Sequence, residues 1–307
     1  MKKRWTAFFS FFVILTGAVS CLSPESLYRA VIDGERKSAG LSKFNIQSDG
    51  HRIVYLEGGK GETVVLLHGY TGNKDNWTRF ARSMESRYHL VIPDIPGFGE
   101  SSKLPEASYD VESQVDRIDR FLEVLKIDRF HLAGNSMGGM IAAVYATKHP
   151  GKVASLALFD TGGLQTAKKS EFAARLEKGQ NALLVNSEED FDEVLRLAFV
   201  EPPYIPASVK RIMVVDAIAS ADFNRKILND MVSRPVALEP YLPMIQAPVL
   251  ILWGDADRLT DPSGVYVLEK SLQVYRTVVM KDTGHLPMVE KPRESASYYV
   301  DFLKDCH

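Results

Sequence analysis

Three residues far apart in the chain have the types that nucleophilic catalysis needs: Ser136, Asp257 and His285. A serine hydroxyl is almost entirely protonated near neutral pH. It attacks a carbonyl only when a base takes its proton and an acid holds that base in the useful tautomer. Ser136 stands in Gly134-Asn135-Ser136-Met137-Gly138, with a side-chain-free residue two positions to either side. That pattern suits a sharp turn in which strand and helix approach closely and the serine takes strained backbone angles. The acid is expected at Asp257, in Gly254-Asp255-Ala256-Asp257, and the base at His285, in Asp282-Thr283-Gly284-His285. Such a set performs acyl transfer through a covalent serine intermediate.

The oxyanion of that reaction needs two backbone N–H donors, one of them on the residue after the nucleophile, Met137. The second is expected at Tyr70, in His68-Gly69-Tyr70-Thr71-Gly72. Its backbone amide would do the work, its side chain being almost irrelevant to the chemistry, while Gly69 lets the chain bend toward the site.

These residues need elements to hold them. Arg129–Ala133 reads as a strand leading into the serine turn, and Met137–His149 as the helix leaving it. Thr63–Leu67 leads to the Tyr70 turn, Pro248–Trp253 to Asp257 and Tyr275–Met280 to His285. Further strands are expected at 89–93 and 154–159, with a leading antiparallel strand over Arg52–Leu56. Helices are expected over Asn76–Arg87 and Val111–Leu125, the latter with Val111, Val115, Ile118, Leu122 and Leu125 at spacings of three and four. The alternation predicts an α/β fold: a mostly parallel sheet flanked by helices on both faces.

The set His68-Gly69-Tyr70, Asp94-Ile95-Pro96-Gly97-Phe98-Gly99, Gly134-Asn135-Ser136-Met137-Gly138-Gly139, Trp253-Gly254-Asp255-Ala256-Asp257 and Gly284-His285 resembles the α/β-hydrolase superfamily from about residue 50 onward. The chain order Ser, Asp, His is the order of that superfamily. Asn73-Lys74-Asp75-Asn76-Trp77 and Asp160-Thr161-Gly162-Gly163-Leu164 most resemble bacterial lipases and monoacylglycerol lipases. The resemblance implies a membrane-associated serine esterase with nucleophile Ser136, acid Asp257, base His285 and oxyanion donors Tyr70 and Met137. It also reserves the acid role for Asp257 over Asp255. Asp160 follows the sixth strand, where some superfamily members keep their acid. His68 is expected to brace the oxyanion turn, and Ser101 and Ser102 lack flanking glycines and read as loop polars.

Between about residue 163 and residue 242 the alternation breaks. Glu171–Lys178, Phe191–Phe199, Val209–Ser220 and Phe223–Ser233 look helical and no strand is convincing. The organisation expected is therefore an N-terminal segment over 1–21, a hydrolase core over 50–162 and 243–307, and a helical cap (lid) insertion over 163–242. The cap would lie over the carboxyl edge of the sheet and shape an acyl pocket. Met213, Val214, Val215, Ile218 and Phe223 fit helix core better than pocket lining.

At 307 residues and 45% hydrophobic content, one such core can be buried without a second fold. The net charge of −2 and the scattered basic residues argue against a nucleic-acid partner. No clustered metal-ligand spacing and no phosphate-cradling glycine motif is present, so no metal or organic cofactor is expected. Lys2-Lys3-Arg4 followed by an uncharged run from Trp5 to Leu22 reads as an export signal or anchor. Ala18-Val19-Ser20-Cys21 resembles a bacterial lipoprotein processing site, departing from it at Ala18, where leucine is usual. The expected location is periplasmic, secreted or membrane-anchored, with an outer-membrane destination if Cys21 is processed, because Leu22 supplies no retention aspartate. The expected reaction is hydrolysis of carboxylic esters, with acylglycerols as the expected substrates. The alternatives are carbon–carbon bond hydrolysis of ring-cleavage products, or ligand binding without turnover.

Overall fold

The computed structural model describes residues 23–84 and 86–306. The signal or anchor segment and Cys21 lie outside the described residues. An eight-stranded sheet runs in the order β1 (Leu41–Ser48), β2 (His51–Gly59), β4 (Tyr88–Pro93), β3 (Glu62–Leu67), β5 (Phe130–Asn135), β6 (Val153–Phe159), β7 (Val249–Gly254), β8 (Tyr275–Met280). β2 is antiparallel to both β1 and β4, and every later pairing is parallel. The sheet and its hydrolase topology agree with the expectation.

Period-two alternation divides the buried strand residues between two cores. Val65 and Leu67 of β3 face a layer containing Ile118 of α3 (Val111–Val124) and Ile141 of α4 (Met137–Lys148). Val64 and Leu66 face the other side, with Trp77, Phe80 of α2 (Thr78–Ala81) and Tyr299 of α10 (Pro292–Lys304). All six residues of β5 and of β7 are buried, as strands covered on both faces require.

Four segments depart from expectation. α1 (Pro24–Ser38) and β1 precede the region where the sequence pattern becomes readable. β1 exposes most of its residues at the sheet's edge, so it carries no clean alternation. The helix expected over Asn76–Arg87 is a 3-10 turn, Lys74–Trp77, followed by the four-residue α2. Val209–Ser220 and Phe223–Ser233 are one helix, α7 (Ala207–Ser233), because Ala221 and Asp222 offer no helix-breaking residue between them.

Between β6 and β7 the chain forms α5 (Glu171–Leu176), α6 (Glu188–Ala198) and α7, with no strand among the described residues of this stretch. After β7 come α8 (Gly264–Ser271), β8 and α9 (Pro287–Glu290). No helix among the described residues is long and apolar enough to cross a membrane.

Candidate active site

The site forms where neighbouring parallel strands end. β3 and β5 are paired, with Leu67 opposite Gly134, so the turns that follow them adjoin. Ser136 has φ +54° and ψ −117°, a strained geometry at the mouth of α4. A Cβ on Gly134 would sit 2.1 Å from the Gly138 oxygen, and one on Gly138 would sit 2.4 Å from the Leu67 oxygen. Both flanking glycines are therefore required by close backbone approach, as the sequence pattern demands. Met137 is the first residue of α4, so its N–H has no partner within the helix.

His68 is fully buried. Its Nδ1 donates to the Gly69 oxygen at 2.8 Å and its Nε2 accepts from Ile95 N at 3.0 Å, which fixes the tautomer and braces the turn carrying Tyr70. Burial lowers its pKa and keeps it neutral. The Tyr70 side chain has structural partners of its own. Its hydroxyl donates to the Asn224 oxygen of α7 at 2.7 Å and accepts from Asn181 Nδ2 at 3.4 Å. Burial pushes the phenol up to about 12.

His285 and Asp257 come together from the loops after β8 and β7. His285 Nδ1 lies 2.8 Å from Asp257 Oδ2, and both residues are buried. Asp257 Oδ1 accepts from the backbone of Leu259 at 2.7 Å and of Thr260 at 3.0 Å, and Oδ2 accepts from Thr260 Oγ1 at 2.5 Å. With the Nδ1 proton directed at Asp257, the lone pair of Nε2 is left free to accept a proton. Asp255 is exposed and accepts from Thr283 N at 3.3 Å, away from the histidine ring.

Asp160, after β6, is fully buried, and one of its oxygens lies within 4.8 Å of ligand atoms of Asp257 and His285. Burial first, and then the charge of Asp257, pushes its carboxyl well above the usual carboxylate range. This trio is the group whose chemistry could suit a cation. A metal there would compete with four donors to Asp257 and displace the Nδ1 proton.

Three contributors were not found from sequence. Thr260 bridges to Asp257. Asn135 Nδ2 donates to the His285 oxygen at 3.0 Å. Glu290 accepts from Gly284 N at 2.7 Å, Val200 N at 3.0 Å and Glu201 N at 2.7 Å, tying the His285 loop to the end of α6. Thr260, three residues after Asp257, is the one that a local acid-plus-capping pattern could have flagged.

Ser136, Met137, Tyr70 and His285 line one cavity of about 480 Å³. Its apolar wall includes Met140 of α4, Trp253 of β7, and Leu228 and Met231 of α7. None of the five residues weighed earlier as lining contributes. Met213 and Val214 pack with Phe191 and Val194 of α6, Phe223 packs on the core, and Val215 and Ile218 are exposed. α7 contributes to the lining through Leu228 and Met231, which lie within the helix expected over Phe223–Ser233.

Residues 62–189 match the model of the alpha/beta hydrolase fold family. Lipase 1 of Psychrobacter immobilis is 39% identical over 279 residues, covering 89% of this chain and 87% of its own. Monoacylglycerol lipase ABHD6 of Homo sapiens is 30% identical over 300 residues, covering 93% and 89%. The crystal structure of a membrane phospholipase A, described as a bacterial virulence factor, superposes with a TM-score of 0.91 at 47% identity, covering 92% of each chain.

Proposed function

This chain belongs to the α/β-hydrolase family, and from that premise we propose that it is a lipase that hydrolyses carboxylic esters of acylglycerol type through Ser136, His285 and Asp257. The observation that carries the reading is the 2.8 Å contact of His285 Nδ1 with Asp257, beside a largely apolar cavity that Ser136 and His285 both line. His285 Nε2 takes the Ser136 proton as Oγ attacks the ester carbonyl. The Tyr70 and Met137 amides receive the oxyanion, and the alcohol leaves with the proton from His285. Water activated by the same imidazole then releases the acid. Residues 163–242 act as the cap: α7 supplies Leu228 and Met231 to the acyl wall, and such a wall favours aliphatic chains. No cofactor takes part in these steps. The N-terminal segment exports the protein and, where it is left uncleaved or Cys21 carries lipid, holds it at a membrane.

The experiment is a series of p-nitrophenyl esters from acetate to palmitate, with monoacylglycerols alongside. Turnover that persists into medium and long acyl chains supports the reading. Inertness to every ester, with cleavage of a dienone acid, would overturn it in favour of carbon–carbon hydrolysis, and labelling of Ser136 without any turnover would make the protein a receptor.

A further inference from the structure

One fully buried acid beside the histidine has no part in that mechanism. Asp160 Oδ1 accepts from Gly254 N at 2.8 Å, while its Oδ2 is buried with no donor facing it. Asp257 is the opposite case, with donors at both oxygens. Two carboxylates this close in a dry site do not both ionise, because each charge raises the cost of the other. The proton therefore belongs on the oxygen that lacks a donor.

We propose that Asp160 and Asp257 hold one proton between them, with Asp160 as a neutral acid that donates from Oδ2 to the Asp257 carboxylate and fixes its orientation toward His285. The Asp160 backbone is pinned for this task. Its φ is +44°, its N–H donates to the Leu252 oxygen at 3.0 Å and its carbonyl oxygen lies 3.1 Å from Thr260 Oγ1, whose proton goes to Asp257. A left-handed φ is costly for a residue with a Cβ, and here it lets the chain turn away from β6 while a carboxyl oxygen stays within 4.8 Å of one of Asp257. The charged groups bearing on Asp160 are Asp257 from the loop after β7, Glu290 of α9 and His285 from the loop after β8. The two acids both favour its protonated form, as does burial.

Asp160 is thus a positioning residue, not a catalytic one. A donor on Asp257 disperses that carboxylate's charge, so removing it strengthens the negative charge that faces the His285 imidazole. This consequence rests on the triad proposed above, whereas the shared proton itself does not, and the test separates them.

The thermal midpoint of the full-length, detergent-solubilised protein is compared with that of Asp160→Asn from pH 5 to pH 9. An acid whose pKa is raised by folding contributes stability that is complete below its unfolded value of about 4 and is lost as pH rises. Asparagine keeps the donor and escapes that loss. The midpoint of Asp160→Asn minus that of the wild type should therefore grow with pH, by about 4 °C or more across the range. A difference that stays constant or shrinks would overturn the shared proton, whatever substrate the enzyme takes. In ester turnover, Asp160→Asn should keep kcat within about threefold, while Asp160→Leu should lose about tenfold or more at unchanged KM. The acid limb of the Asp160→Leu profile should also move to higher pH. Equal losses in both variants without displacement of that limb would overturn the donor role, and if Asp160→Leu does not fold, the midpoint comparison decides alone.

Discussion

The carboxyl edge of the sheet and the helical stretch above it are built to different standards. β5 and β7, which lead to Ser136 and to Asp257, are buried along their whole length, and Gly134, Gly138 and Gly254 meet neighbouring backbone too closely to accept a side chain. By contrast α5 has no buried residue, and α7 buries just Val209, Val214, Ala221, Asn224 and Ile227 along its 27 residues. Reacting groups must be held to a fraction of an ångström, and a close-packed sheet edge does this. A wall that selects acyl chains needs only shape, and a lightly packed helix can vary its side chains without disturbing the base. The two regions are tied at several points: Tyr70 bonds to the Asn224 carbonyl, Arg258 to Glu171 and to the Arg196 oxygen, His285 N to the Ala198 oxygen, and Glu290 joins the His285 loop to the segment after α6.

Substitutions should then divide by region. The largest effect belongs to the sheet edge. Asp257→Asn should lower kcat by about 10⁴-fold, because the imidazole loses control of its tautomer, whereas Asp255→Asn should cost less than about threefold. Steady-state kinetics on one soluble ester checks both, and the reverse ranking would move the acid to Asp255. A smaller and different effect belongs to α7. Leu228→Trp, which fills the cavity from α7, should lower kcat/KM for palmitoyl esters by about tenfold while leaving acetyl esters nearly unchanged. Equal losses on short and long esters would show that α7 shapes the reacting geometry and would erase the contrast between the regions.

The same contrast explains what the sequence revealed. Strands buried on both faces write themselves as apolar runs, and turns that forbid side chains write themselves as glycine, so β3 and β5–β7, the serine turn and both later loops could be read in order. His68 was read as a brace and is one, by its bonds to Gly69 and Ile95. Elements whose form depends on tertiary neighbours could not be read. β1 is an exposed edge strand, α7 is continuous where two helices were expected, and the Tyr70 hydroxyl finds its partner 154 residues away. Asp160 was visible as a residue, yet its state depends on which neighbours supply donors, and only the folded chain specifies that.

The central claim is that Ser136 is the nucleophile that His285 activates. Its most direct test is to label the purified full-length protein with a fluorophosphonate probe and map the modified peptide by mass spectrometry, with Ser136→Ala alongside. The account predicts one adduct, on Ser136, formed in parallel with loss of ester hydrolysis, and neither adduct nor more than about a hundredth of wild-type turnover in Ser136→Ala, whose fold is unchanged by circular dichroism. An adduct on another residue, or turnover retained in Ser136→Ala, would contradict it.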